Sequence, residues 1–113
     1  MDKGTLLQQD AKIPEGNNFS ASFSNIDPFI VVKMFERNGW AIRKAGWEEW
    51  ELTNTWSELH VEPSSLGLLL NGSVAFHPDN IAILDRLLDT LGEDFQYEFY
   101  DARKNLLLER RRP

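Results

Sequence analysis

With 113 residues, 42% of them hydrophobic and 12% aromatic, the chain is long enough for one domain with a real core and too apolar to be disordered. It has no cysteine, which excludes a disulfide framework, a thiol nucleophile and a zinc–thiolate site, and fits a reducing, cytoplasmic location. The net charge of −6 is unevenly spread: residues 45–85 hold seven carboxylates and no lysine or arginine, so this half should repel nucleic acid and attract basic partners.

Residues 1–18 are polar, with Gly4, Pro14 and Gly16 and no sustained period. They predict a flexible N-terminal arm ahead of a single domain over residues 19–113. The arm lacks a basic end followed by an apolar run, so no signal peptide is expected, and the apolar runs farther on are too short to span a membrane. Phe19-Ser-Ala-Ser-Phe23 alternates apolar and small residues, as a short edge strand would. Asp27-Pro28 is an N-cap followed by a first helical proline, and Asn38-Gly39 is a stop signal, with Ile30, Val31, Met34 and Phe35 directed to the core. Residues 40–45, 47–53 and 56–62 change to period two and predict three strands joined by tight turns at Ala45-Gly46 and Asn54-Thr55.

Residues 66–70 form a continuous apolar run, read as a strand buried on both faces, which 73–76 extend or follow. His77-Pro78 opens a second helix and Gly92 closes it. Ile81, Leu84, Leu87, Leu88 and Leu91 make its apolar stripe, with Asp85, Arg86 and Asp89 outside, where solvation and the helix dipole account for the carboxylates. Two last strands, at 95–100 and 106–109, flank a polar turn, and Arg110, Arg111 and Arg112 read as a solubilising end. The expectation is an α+β fold: a mainly antiparallel sheet of about five to six strands with two helices packed on one face.

The stretch GWEEWELTNTWSELHVEP, residues 46–63, holds three of the four tryptophans, five glutamates and a histidine. Side chains two apart share a strand face. By that parity Trp50, Leu52, Leu59 and Val61 belong to the core, with Ser57 and Glu48 on the same side. The opposite face carries Trp47, Glu49, Glu51, Thr53, Trp56, Glu58, His60 and Glu62. A turn at Asn54-Thr55 sets Glu51 across from Glu58, a like-charge pair costing about 0.2–1 kcal/mol, and Glu49 across from His60. A two-residue turn at Ala45-Gly46 also puts Trp40, Ile42 and Lys44 on the acidic face, unless a bulge reverses them. Such an apolar patch marks an interface, covered by a partner, a second copy or the N-terminal arm.

His60-Val-Glu62, with Glu49 and Glu58 near, has donors for a divalent metal or an acid–base pair, but one His-x-Glu is more often a surface pair. His77 reads as a helix-entry residue. There is no Gly-x-Ser-x-Gly, no Ser/His/Asp spacing and no phosphate-cradling glycine loop. The sequence therefore predicts no catalytic residue, no metal ligand and no cofactor. It predicts a non-catalytic protein-binding module that docks a basic protein through Trp47, Glu49, Glu51, Trp56, Glu58, His60 and Glu62, with no nucleic-acid or membrane partner and with homodimerisation open. A concrete version, by analogy, is an immunity protein or antitoxin covering the basic active site of a toxin nuclease. The order helix, three strands, helix, two strands over residues 27–109 resembles that of the small acidic chaperones of type III secretion. That resemblance implies a dimer acting on an extended effector segment; it carries no motif, and the closing helix of those chaperones is missing. The remaining reading, from another class, is a small metal-dependent or acid/base enzyme centred on His60, Glu49 and Glu62.

Overall fold

A computed structural model describes residues 12–65 and 67–113; the first eleven residues of the expected arm, and Leu66, lie outside them. The elements run β1 (Phe19–Phe23), α1 (Pro28–Arg37), β2 (Ala41–Gly46), β3 (Glu49–Asn54), β4 (Ser57–Ser64), β5 (Gly67–Val74), α2 (Pro78–Thr90), β6 (Phe95–Tyr100) and β7 (Leu106–Arg112). All strands join one antiparallel sheet in the order β2-β3-β4-β5-β1-β6-β7. The α+β expectation holds, with seven strands rather than five to six. The element order also has a strand before the first helix, and one strand more between the helices, than the chaperone-like order.

Local chemistry explains the helices. The Asp27 carboxylate accepts the Phe29 N–H (2.9 Å), Pro28 fills the first turn, and Gly39 at φ +95° ends α1 in the left-handed region. Val31, Val32, Met34 and Phe35 are its buried residues. Ile30, expected inside, is 53% exposed, because the buried stripe is centred one residue later along the helix. His77 caps α2, its Nδ1 accepting the Asp79 N–H (3.1 Å), and Leu84, Leu87 and Leu88 are buried. Both helices share a hydrophobic core with Phe19, Leu52, Val61, Leu70 and Phe99 from one face of the sheet. No helix among the described residues is long and apolar enough to cross a membrane.

The largest departure from expectation is β1. It lies in the middle of the sheet, between β5 and β6, not at an edge. Its short serine positions, Ser20 and Ser22, alternate with fully buried Phe19, Ala21 and Phe23, a pattern that a central strand open to solvent on one face also produces. Asn18 prolongs the join: its side chain donates to Val74 O and accepts from Val74 N–H (both 2.8 Å), while its carbonyl accepts the Tyr100 N–H.

The arginines at the C-terminal end are structural. They lie in β7, where Arg110 donates to Asp85 (2.7 Å) and to Asp89 (3.3 Å), and Arg112 donates to the Asp89 carbonyl (2.8 Å). Asp85 also accepts the Tyr97 hydroxyl (2.7 Å), so α2 is tied to β6 and β7 by one polar junction. The β6–β7 turn is closed by Asp101, whose carboxylate accepts the N–H groups of Arg103 and Asn105, and the Asn105 bond is the first cause holding its pKa below the ordinary carboxylate value.

Two predictions follow from these contacts. A Cβ on Gly72 would stand 2.1 Å from the Glu58 carbonyl oxygen, a backbone atom that cannot yield without parting β4 from β5. Gly72→Ala should cost about 3 kcal/mol in urea unfolding. Burial, and then the bond to Asp85, raise the Tyr97 pKa above the ordinary tyrosine value of 10.0. A raised folded pKa contributes stability that is complete below pH 10 and is lost as pH rises through the folded value. Wild type should thus weaken above about pH 10, whereas Tyr97→Phe, weaker by about 1 kcal/mol at neutral pH, should show a smaller alkaline loss.

Candidate functional site: the helix-free sheet face

Both helices lie on one side of the sheet, so the other face is left uncovered by them. The backbone pairing runs in a row across it from Glu51 through His60, Asn71, Ser20 and Glu98 to Glu109. Glu49, Glu58 and Glu62 flank that row on β3 and β4. The strands thus place six carboxylates on this face. Arg43, paired with Glu51, and Arg111, which donates to Gln96, stand on the two outermost strands, β2 and β7, and Lys104 of the β6–β7 turn borders the face beside Ser20 and Asn71. A shallow depression near its centre is lined by Asn17, Glu51, Thr53, Glu58, His60 and Asn71.

Parity assigned the faces of β3 and β4 correctly, but the register differs. The turn lies at Thr55-Trp56, with Asn54 paired to Ser57 and Glu51 to His60. Asn54 is the cause: its side-chain oxygen accepts the Trp56 N–H (2.9 Å) and the Ser57 hydroxyl (2.7 Å), so it starts the turn instead of occupying it. The slip is two residues, which preserves faces where a slip of one would exchange them. Glu51 therefore faces His60, not Glu58, and continuing the register sets Glu49 across from Glu62.

Two of the predicted site residues leave the face. Trp56 turns to the helix side and packs edge-on against Trp40, ring centroids 5.2 Å apart. Trp40 is buried there against Phe35, its Nε1 donating to Ser57 Oγ (3.0 Å). Trp47 sits at the tip of the β2–β3 turn, 85% exposed, at the rim of the face. That turn is Trp47-Glu48, not Ala45-Gly46, with Glu48 at φ +58°. A bulge between Lys44 and Gly46 reverses β2, sending Ile42 and Lys44 to the helix side and Arg43 to the acidic face. The apolar patch expected from Trp40 and Ile42 is thereby abolished.

Glu49, Glu51, Glu58, His60 and Glu62 remain together. Arg43 neutralises Glu51 through its Nε (3.0 Å) and Nη2. His60 Nε2 lies 3.1 Å from Glu49 Oε1 and 3.5 Å from Glu62 Oε1. Glu58 has no ion-pair partner among the described residues. Sequence reasoning missed Glu98, Glu109 and Arg43. The alternation in 95–100 places Glu98 opposite the core residues Tyr97 and Phe99, but only the order of strands brings it to the same face as Glu51. Glu98 and Glu109 are themselves a directly opposed pair of like charge.

No protein-family model matches the chain, and neither a curated protein nor a solved structure is significantly similar to it.

The like-charge pairing has a measurable consequence. Replacing one member, Glu109→Lys, converts repulsion with Glu98 into attraction and should raise stability by about 0.5 kcal/mol in urea unfolding at low salt, an increase that 1 M salt should largely erase.

Proposed function

We propose that the chain is a non-catalytic protein-binding module whose helix-free, acidic sheet face docks a basic protein, in the manner of an immunity protein or antitoxin. The observation that carries this reading is the charge layout: six glutamates on the helix-free face, with Glu98 directly opposite Glu109, Glu49 and Glu62 flanking His60, and Arg43 and Arg111 out on the two outermost strands. Selection for stability alone replaces one member of such a pair by lysine or threonine. Carboxylates fixed on strands steer a cationic partner and select against an anionic one without first having to be ordered. Trp47, exposed at the rim, supplies an aromatic anchor beside the charged field. The same layout opposes self-association through this face, because a second copy presents the same sign of charge.

Affinity capture from the source cell's lysate tests the reading. Wild type should retain a basic protein at low salt and release it near 0.5 M, where screening shortens to about 4 Å. The double variant Glu51→Lys/Glu58→Lys should fail to retain it. Equal capture by the variant, or capture indifferent to salt, overturns the docking face.

A further inference from the structure

We propose that Glu49, His60 and Glu62 form a binding site for one divalent transition-metal ion, taking Zn²⁺ in preference to Mg²⁺ and Ca²⁺. The site is read from three side chains alone and does not rest on the docking function. His60 and Glu62 are two residues apart on β4, and Glu49 stands on β3, so all three project from the same face of two hydrogen-bonded strands. One donor atom from each lies within 4.8 Å of the other two. A tetrahedral ion bound at about 2.0–2.1 Å to nitrogen and oxygen holds its ligand atoms about 3.3 Å apart. The two distances from His60 Nε2, 3.1 and 3.5 Å, fall on either side of that spacing. The glutamate–glutamate separation closes by rotation of carboxylates that are 40% and 37% exposed.

Charge supplies the second argument. Among the described residues neither Glu49 nor Glu62 has a lysine or arginine partner; His60 is the ion-pair partner of both. The nearest cations on β2 are committed elsewhere: Arg43 to Glu51, and Lys44 over the Trp50 ring on the opposite face. A proton on His60 offsets one of the two carboxylates, whereas a divalent ion offsets both. The donor set also selects the ion. One imidazole nitrogen with two carboxylate oxygens suits Zn²⁺, while Mg²⁺ and Ca²⁺ take six or more oxygen ligands. Three protein ligands on a solvent-facing sheet leave a fourth position open to water or to a ligand.

The test is calorimetric titration of the chelator-stripped full chain with ZnCl₂, alongside ¹⁵N spectra of the histidine rings. Wild type should take up one Zn²⁺ per chain, Mg²⁺ at the same concentration should bind far more weakly, and the His60 Nε2 resonance should shift on Zn²⁺ addition. Loss of outer groups at metal sites weakens binding about 10–100-fold, so His60→Ala and Glu62→Ala, which remove ligands, should each weaken it at least about tenfold. Glu58→Gln on the same face and His77→Ala at the α2 cap should leave it unchanged. No saturable uptake by wild type up to about 1 mM Zn²⁺, unchanged affinity in His60→Ala, or an equal loss in Glu58→Gln overturns the site. The ring spectra of wild type decide the matter even where a variant fails to fold: a His60 Nε2 that does not move on Zn²⁺ addition refutes coordination.

Discussion

The sheet is held together through β1. Among the described residues the array β2–β5 and the pair β6–β7 share no ladder of hydrogen bonds, and this five-residue strand is paired to both. Its inward residues Phe19, Ala21 and Phe23 are fully buried, and Phe19 packs against Phe99 with ring centroids 4.8 Å apart. Asn18 continues the seam with both functions of its amide spent on Val74. β2 to β5 form by successive hairpins, and β6 and β7 by another, all through local contacts. β1 pairs with residues 45 to 80 positions away, so the seam requires the longest loop closures in the sheet.

A sheet joined in this way has one face to bury and one to spare. α1 packs against β2, β3 and β4, and α2 is tied to β6 and β7 through Asp85, Asp89, Arg110 and Arg112. The core is thereby completed on one side, and no demand for burial acts on the other. That freedom lets the second face carry opposed glutamates at a cost of a fraction of a kcal/mol per pair, a small amount against the stability of a folded domain. The docking reading and the metal site both draw on this face, yet on different properties of it: the first on the summed field, the second on three donor atoms within a few ångströms.

Much of this was legible along the chain where the signal is local. Asp27-Pro28 and Gly39 bounded α1, and His77-Pro78 and Gly92 bounded α2, because caps act on backbone groups within a few residues. Alternation sorted the residues of β3 and β4 onto the correct faces even with the turn misplaced, since the error was an even number of residues. The loops were harder. Asn54 could either occupy a turn or begin one, and only its bonds to Trp56 and Ser57 decide; the bulge at Ala45 depends on how β2 meets β3. Trp56 was misassigned for that reason, and Trp40 was left open between a tight turn and a bulge; the role of the arginines was missed because they acquire partners only when α2 is brought to β7.

By itself, then, the sequence determined the α+β class, the two helices with their ends, and the alternation that separates Trp50, Leu52, Leu59 and Val61 from Glu49, Glu51, Glu58, His60 and Glu62. These follow from periodicity and capping, which are properties of neighbouring residues. The tertiary structure decided the placement of β1 at the centre, the joining of all seven strands into one sheet, and the gathering of Glu98 and Glu109 onto the face of Glu51. It also decided which tryptophans face the core and which donors surround His60. Strand order and register are relations between segments far apart in the chain, set by which pairing buries the most apolar surface while satisfying every backbone hydrogen bond, and no local pattern encodes that choice.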